Sequence, residues 1–244
     1  MSLGKPQRLD DILFSQGFGT RRVCAGLLRA GLVRLVDPAQ GNPVLTDPAS
    51  LHQPTGLVLE VEGEPWPVHE HTLVLLHKPA GYECSTKPSS WPSVLLLLPA
   101  ALRRRVQTVG RLDQDTTGLL LLTDDGHLIH RLNSPKHHVP KVYQVQTARP
   151  VDDKQARQLR EGVVLDDDPQ PVHAEACEIT GPQSLKLTLV QGKYHQVKRM
   201  VAAVGNHCES LHRSDYGTLN LDAGPALGLW RWVGDAERGA LLAG

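Results

Sequence analysis

The 244-residue sequence lacks the apolar runs and the cysteine patterns that would assign it to several protein classes. It contains no apolar stretch of 18 residues, and its first residues lack the apolar core of a secretory signal. Neither a membrane span nor export is therefore predicted. The cysteines form no C-x-x-C pair, so a disulfide framework and a zinc site are not predicted either. A reducing cytoplasm is the expected compartment.

The chain also lacks net charge, because 26 Lys and Arg residues balance 26 Asp and Glu residues. The two signs are nevertheless segregated along the sequence. Residues 1–36 and 103–149 each carry +4, whereas residues 37–70 carry −6 and residues 151–180 carry −5. A one-sided site for a polyanion requires such an asymmetry, which makes RNA a candidate partner. Ordinary solvated surface is the interpretation adopted for the acidic blocks.

The stretch from Val109 to Gly126, VGRLDQDTTGLLLLTDDG, carries the most information. Four leucines, Leu119–Leu122, are too few for a free-standing helix and predict a strand buried on both faces. The Asp-Asp-Gly sequence predicts a turn, and a helix is expected from His127. Asp113 therefore lies in a loop that enters the best-buried strand, a common position for a reactive group.

This stretch resembles the catalytic motif of the RNA pseudouridine synthases, G-R-L-D-x-x-T-x-G-L, whose aspartate is catalytic. The glycine before Arg111 and the Thr-Asp-Asp-Gly after the leucines resemble the ribosomal small-subunit branch of that family. The resemblance implies that Asp113 is the catalytic carboxylate. It also implies that Arg111 fills the space left by a flipped target base. Asp115 and the two aspartates of the turn are interpreted as loop or cap residues.

Two later segments extend the resemblance. In Lys141-Val142-Tyr143 the family's K-x-Y motif implies that Tyr143 lies against the target base, and Lys141–Thr147 is predicted to be a strand. The segment GKYHQVKRM resembles the family's third motif, which implies that Lys198 pairs with the catalytic aspartate. A helical wheel supports this, because Lys198 borders the apolar stripe and Arg199 lies opposite it. A third resemblance, Lys78-Pro79-Ala80-Gly81, is interpreted as a structural turn.

The N-terminal segment predicts a small helical and β-stranded module. Leu9, Ile12 and Leu13 have helical spacing, and Thr20 is expected to cap a second helix. Arg21 and Arg22 occupy the first turn of that helix, the unfavourable end for cations. They are interpreted either as phosphate-binding residues or as harmless surface arginines. The segment resembles the S4-like RNA-binding domain, and residues 62–67 are interpreted as a linker.

The predicted fold class is α+β, with an S4-like RNA-binding domain and linker at residues 1–66 and a catalytic domain at residues 67–244. The catalytic domain is expected to contain a mixed, largely antiparallel sheet with flanking helices and the active site in its cleft.

The predicted function is isomerisation of a uridine to pseudouridine in ribosomal RNA, with the 16S molecule as the first choice and the 23S molecule as the alternative. No cofactor and no metal are expected, and the partner is ribosomal RNA or an assembling particle, bound by a monomer. Two other classes stay open. A metal-dependent nuclease or glycosidase would use the four aspartates of the central stretch and would fail in chelator. A non-catalytic assembly factor would function without Asp113.

Overall fold

The computed structural model describes residues 4–166 and 168–243, and the chain divides into two compact units. The first unit comprises the residues up to Thr72 together with Leu98–Val106. The second comprises Leu73–Leu97 together with the residues from Gln107 onward. Within the described ranges, no helix is both long enough and apolar enough to cross a membrane.

The first unit combines short helices with a three-stranded antiparallel sheet. Its helices are α1 (Leu9–Ser15), α2 (Arg21–Arg29) and α3 (Ala100–Arg103), and its strands are β1 (Gln7–Arg8), β2 (Val33–Leu35), β3 (Leu51–His52), β4 (Val58–Val61) and β5 (Glu64–Pro67). The sheet order is β2-β4-β5, and β1 pairs separately with β3. The predicted first helix is confirmed, because Leu9, Ile12 and Leu13 are fully buried. The predicted cap is also confirmed, since the Thr20 hydroxyl accepts a hydrogen bond from the Val23 N–H at 3.3 Å.

The linker predicted at residues 62–67 is wrong, because this stretch forms a tight turn followed by strand β5. The turn is made by Glu62 and Gly63, which have φ values of +54° and +88°. Trp66 is buried, and its ring centroid lies 4.7 Å from that of Phe18. Since β5 is an edge strand, its two prolines can lack an N–H group without breaking the sheet. The proline pattern was therefore compatible with an edge strand as well as with a linker.

The arginine run before the predicted catalytic loop binds groups of the protein itself. Arg104 donates from Nη1 to the Gly17 carbonyl oxygen at 3.0 Å. Arg105 donates from Nη1 to the Gln16 side-chain oxygen at 2.9 Å. These hydrogen bonds join the α3 segment to the end of α1 within the first unit. A structural role accounts for both side chains.

The second unit contains a large mixed sheet and four helices in its described part. Its strands are β6 (Leu73–Lys78), β7 (Gln107–Thr108), β8 (Thr117–Thr123), β9 (Lys141–Thr147), β10 (Val163–Leu165), β11 (Asp168–Val172), β12 (Ala176–Gly181), β13 (Ser184–Leu189), β14 (Cys208–Tyr216), β15 (Leu219–Asn220) and β16 (Trp230–Trp232). Its helices are α4 (Gly126–Asn133), α5 (Asp153–Glu161), α6 (Gln196–Ala203) and α7 (Asp235–Ala243). Short 3₁₀ turns occupy Pro38–Gln40 in the first unit and Val94–Leu97 and Pro135–His137 in the second.

The sheet has the order β12-β13-β9-β14-β8-β6-β16. Among its described pairings, β8 with β14 is parallel and the others are antiparallel. The predicted mixed, largely antiparallel sheet with flanking helices is thus present. Leu119–Leu122 lie on β8 between two other strands and are fully buried, as the leucine run predicted.

Capping residues fix the helices that flank the sheet. The Asp125 carboxylate accepts hydrogen bonds from the N–H groups of His127 and Leu128, so the predicted cap of α4 is confirmed. Leu128 and Leu132 of this helix pack against Leu119 and Leu121 of β8. Asp125, which follows the leucine run, thus anchors α4 against β8. The loop that carries Asp113 enters β8 at its other end.

Candidate active site

Asp113 lies on the loop between β7 and β8, where the chain turns into the central strand. Gly110 has a φ of +69°, and a side chain there would come within 3.0 Å of the Asn133 side chain. The Thr116 N–H donates to the Asp113 carbonyl oxygen at 3.1 Å, which closes a turn around residues 113–116. The loop conformation therefore depends on a glycine before Asp113 and on a backbone turn after it.

Lys78 holds this loop from inside the protein. Its side chain is fully buried at the end of β6. The ammonium group donates to four carbonyl oxygens, those of Pro79 at 3.0 Å, Asp113 at 3.0 Å, Gln114 at 3.2 Å and Thr116 at 2.8 Å. Burial lowers the pKa of Lys78 below its ordinary value, while neighbouring acidic groups oppose that change. Lys78 of the Lys-Pro-Ala-Gly motif thus fixes the backbone of the candidate catalytic loop.

Two backbone amides complete the attachment of the loop. The Gly81 N–H donates to the Gln114 carbonyl oxygen at 2.8 Å. The Leu112 N–H donates to the Cys84 sulfur at 3.4 Å. Burial raises the pKa of the Cys84 thiol, which keeps it neutral and suited to packing. The turn predicted at Lys78–Gly81 therefore has a specific purpose, which is to bind the loop on both sides of Asp113.

The Asp113 carboxylate lies between two basic side chains of the α6 segment. Its Oδ2 atom is 3.2 Å from Nζ of Lys198, and its Oδ1 atom is 3.3 Å from Nε2 of His195. About a quarter of the Asp113 side chain, 27%, is exposed to solvent. The contact with Lys198 that the helical wheel and the motif predicted is present. The carboxylate is thus held from two sides and remains accessible.

Asp115 is also part of this cluster, although it was interpreted from the sequence as a loop or cap residue. Lys198 donates from Nζ to both of its oxygens, at 2.6 Å and 2.8 Å. Burial would lower the pKa of Lys198, but the hydrogen bond to Asp115 and the charge of Asp113 raise it overall. The pKa of Asp115 is lowered, because Lys198 outweighs the opposing effect of burial. One lysine is therefore shared by two carboxylates, and the interpretation of Asp115 needs correction.

His195 was missed in the sequence. It precedes α6 with a φ of +47°, a left-handed conformation that is uncommon for a residue other than glycine. This backbone conformation allows the imidazole to reach Asp113 while the next residue begins the helix. The available signal was its place in the segment GKYHQVKRM, three residues before Lys198.

Tyr143 is placed on β9, where it is paired with Leu187 of β13 and Arg213 of β14. Its side chain is mostly buried, with 9% of the residue exposed. Arg111 lies two residues before Asp113 on the same loop and is exposed. The structure thus brings Asp113 and Lys198 into contact. Tyr143 lies on β9, and Arg111 lies on the loop that carries Asp113.

The two arginines of the first unit differ in their surroundings. Arg21 contacts Asp11 at 2.6 Å, and its guanidinium lies 4.4 Å from the centre of the Phe14 ring. These contacts offset the unfavourable position of Arg21 in the first turn of α2, so the position alone no longer argues for phosphate binding. Arg22 is exposed in the same turn. Of the pair, Arg22 keeps the stronger case for a contact with RNA.

A metal site built from the four aspartates is not supported by their positions. Asp125 caps α4 and contacts Arg238 at 2.7 Å, whereas Asp113 and Asp115 surround a lysine. Within residues 4–166 and 168–243, no three His, Cys, Asp or Glu side chains are grouped to hold a metal ion. The Asp113 carboxylate instead contacts Lys198 and His195. Such a carboxylate suits acid–base or nucleophilic chemistry.

Comparisons with known proteins show the family of the chain. Residues 72–203 match the family model for RNA pseudouridylate synthase. The chain is 43% identical over 169 residues to ribosomal small subunit pseudouridine synthase A of Escherichia coli strain K12, which covers 69% of this chain and 73% of that protein. It is 37% identical over 230 residues to the protein of the same name from Pasteurella multocida strain Pm70, across 94% of this chain and 97% of that protein. A crystal structure of a pseudouridylate synthase matches with a TM-score of 0.67 and 33% identity, over 96% of this chain and 99% of that one. The chain belongs to the RNA pseudouridylate synthase family.

Proposed function

We propose that this enzyme converts a uridine of small-subunit, 16S, ribosomal RNA to pseudouridine. The observation that carries the proposal is the Asp113 carboxylate, which lies 3.2 Å from Lys198 and 3.3 Å from His195 on a loop fixed by Lys78. The choice of RNA is supported by the names of relatives that match most of the chain, both of which refer to the small ribosomal subunit.

The reaction is an isomerisation whose atoms and electrons balance without an added reactant. The bond between N1 of uracil and C1′ of ribose breaks, the base rotates, and a bond forms between C5 and C1′. The proton on C5 is lost, and N1 gains a proton. Nothing is oxidised and no group is imported, so the chemistry calls for a carboxylate near the sugar and a grip on the detached base.

The residues of the cluster suit these tasks. Asp113 acts as the nucleophile or the base toward the reacting nucleotide, and Lys198 holds its carboxylate through an ion pair. Tyr143 contacts the flipped base, since base stacking on an aromatic ring contributes about 1–3 kcal/mol. Arg111 enters the space that the base leaves, because flipping costs a few kcal/mol of stacking. Each role follows from the family motifs together with the positions of these residues.

The proposal includes an RNA-binding role for the first unit. Its helices and three-stranded sheet are interpreted as an S4-like domain, with Arg22 and to a lesser extent Arg21 contacting phosphate. The partner is ribosomal RNA or an assembling ribosomal particle. A monomer acting in the cytoplasm is sufficient for this function.

The test is a map of pseudouridines in ribosomal RNA from cells with and without the protein. Loss of a single 16S pseudouridine from the deletion strain, restored by the wild-type gene, is the expected result. Loss of a 23S pseudouridine would instead identify the large subunit as the substrate. Unchanged maps would contradict the proposal.

A matched variant distinguishes an enzyme from a non-catalytic assembly factor. Cells that carry Asp113→Asn in place of the wild-type protein are expected to lack the same pseudouridine while they produce normal amounts of folded protein. If the variant corrects a growth or assembly defect of the deletion strain without restoring the modification, a second, non-catalytic role exists.

A further inference from the structure

Tyr194 and His195 form a stacked aromatic pair beside Asp113. Their ring centroids are 3.8 Å apart and their planes differ by 21°. Tyr194 is 72% exposed, although a tyrosine ring is large and apolar enough to favour burial. Single exposed apolar residues are common on protein surfaces and need no explanation by themselves. What distinguishes Tyr194 is that its ring is supported on one side by the histidine that contacts the candidate catalytic carboxylate.

The support of the Tyr194 ring is specific. His195 lies against one face of the ring, and its own position is fixed by the left-handed backbone and by the 3.3 Å contact with Asp113. The Tyr194 carbonyl oxygen accepts a hydrogen bond from Nη1 of Arg199 at 3.1 Å. A left-handed conformation costs roughly 1–2 kcal/mol for a residue with a side chain, and such strain is concentrated at functional sites. The pair is therefore presented in a defined orientation.

The segment that carries the pair is basic in sequence, although its Lys198 is paired with Asp113 and Asp115. The segment from Lys193 to Arg199 contains three cations and no acidic residue. Single-stranded RNA is bound by surfaces that combine positive charge with aromatic rings, on which successive bases stack. The exposed Tyr194 ring lies in this basic segment, so the segment combines positive charge with an aromatic ring.

We propose that the Tyr194–His195 pair is a stacking site for an unpaired nucleobase that neighbours the target uridine in the RNA chain. This inference rests on the proposed function, because the reacting uridine is taken to lie at Asp113. His195 closes one face of the Tyr194 ring, and the RNA base covers the other. Because stacking is tolerant of sequence, the site strengthens RNA binding and leaves the chemical step to Asp113.

The experiment compares Tyr194→Leu and Tyr194→Phe with the wild type on 16S rRNA transcribed in vitro, at one fixed physiological salt concentration. Tyr194→Leu is expected to raise the dissociation constant roughly 5- to 150-fold, the range that corresponds to the loss of one stacked base. Tyr194→Phe keeps the ring and is expected to bind as the wild type does. The loss of activity in Tyr194→Leu is expected to be larger at limiting than at saturating enzyme, since stacking acts on binding.

Trp91→Leu is the matched control, because Trp91 is another exposed aromatic residue of the second unit, 48% exposed, whose backbone N–H binds the Glu83 carboxylate. Trp91→Leu is expected to leave the dissociation constant and the rate at saturating enzyme unchanged. Equal dissociation constants for Tyr194→Leu and the wild type would overturn the stacking site. A loss of rate at saturation without a loss of affinity would also overturn it, and would assign Tyr194 to the support of Asp113 instead.

Failure of the proposed function produces a different result. In that case the wild-type protein forms no pseudouridine in 16S rRNA under any condition. The dissociation constants are measured independently of turnover, so the comparison of leucine with phenylalanine at position 194 still decides whether the ring binds RNA.

Discussion

Lys198 lies closer to Asp115 than to Asp113. Its Nζ atom is 2.6 Å from Oδ1 of Asp115 and 3.2 Å from Oδ2 of Asp113. Asp115 is the more exposed partner, with 55% of its side chain accessible against 27% for Asp113. The lysine is therefore positioned by a carboxylate at the rim and pairs with the carboxylate deeper in the site. A bound nucleotide that reaches Asp113 meets a lysine already held in place.

Replacing Lys198 with Met is expected to slow the reaction near neutral pH by roughly 10- to 100-fold, the range for the loss of hydrogen bonds to charged groups. Asp113 loses its ion pair, and the pKa of Asp115 rises because Lys198 no longer lowers it. Lys198→Arg restores a cation and is expected to keep substantial activity. A pH–rate profile under single-turnover conditions measures these effects.

Arg199→Met is the control for this series. Arg199 follows Lys198 in α6, and its guanidinium binds the Tyr194 carbonyl oxygen. The variant is expected to change RNA affinity at most, with an unaltered rate at saturation. If Arg199→Met removes the chemical step and Lys198→Met does not, the assignment of the cation is wrong.

Lys78→Met is expected to destabilise the second unit and the catalytic loop. The change removes a buried ammonium group and leaves the four carbonyl oxygens that it binds without this donor. Leaving a buried hydrogen-bond acceptor without its donor typically costs about 1–3 kcal/mol of unfolding free energy. Urea denaturation measures the loss, and amide hydrogen exchange at residues 114–116 reports the loop. The exposed Lys186→Met on β13 is the control. Equal stability of the two variants would contradict the role of Lys78.

Lys141 gives a pH-dependent prediction. Burial, and to a lesser degree the charge of Arg213, lowers the pKa of Lys141 from 10.5 to about 8. Between these values the unfolded chain binds more protons than the folded one, so the contribution of this group to stability rises with pH. Lys141→Met is therefore expected to be more stable than the wild type at pH 7, by about 2–3 kcal/mol.

The advantage of Lys141→Met is expected to shrink toward zero between pH 8 and 10.5, the interval set by the two pKa values. Thermal or urea unfolding of both proteins across this range measures the difference. Taking the difference removes the contribution of other groups, such as Tyr216, whose pKa burial raises to about 12. A difference that does not vary with pH would show that Lys141 titrates normally.

Arg22→Ala is expected to weaken RNA binding and to reduce the slope of log affinity against log salt by about 0.7–0.9, the change for one lost phosphate contact. Arg21→Ala is expected to have a smaller effect, because Arg21 is already paired with Asp11. Arg157→Ala, an exposed change in the acidic segment 151–180, is the control. An unaltered slope for Arg22→Ala would make Arg22 an ordinary surface residue.

Most of the features that the sequence predicted depend on neighbouring residues. Leu119–Leu122 predicted the buried strand because an apolar run without helical length has few other solutions. Thr20 and Asp125 predicted helix starts because capping is a contact over two or three residues. The contact of Lys198 with Asp113 was predicted because helical spacing and a family motif indicated the same side chain.

The features that were missed depend on contacts between distant parts of the chain. Lys78 reaches carbonyl oxygens about 35 residues later, and no local pattern distinguishes it from a lysine in a turn. The tight turn at Glu62 and Gly63 converts a proline-rich stretch into an edge strand, which composition alone does not reveal. The role of His195 depends on a left-handed backbone conformation that folding imposes.

The most direct test of the account is the single-turnover rate of Asp113→Asn on 16S rRNA, measured beside its affinity for the same RNA. Asparagine keeps the size of the side chain and removes the charge that pairs with Lys198 and His195. The account predicts an RNA dissociation constant within about threefold of wild type and no detectable pseudouridine. A variant that binds RNA and retains even a tenth of the wild-type rate would contradict the assignment of Asp113 as the catalytic carboxylate.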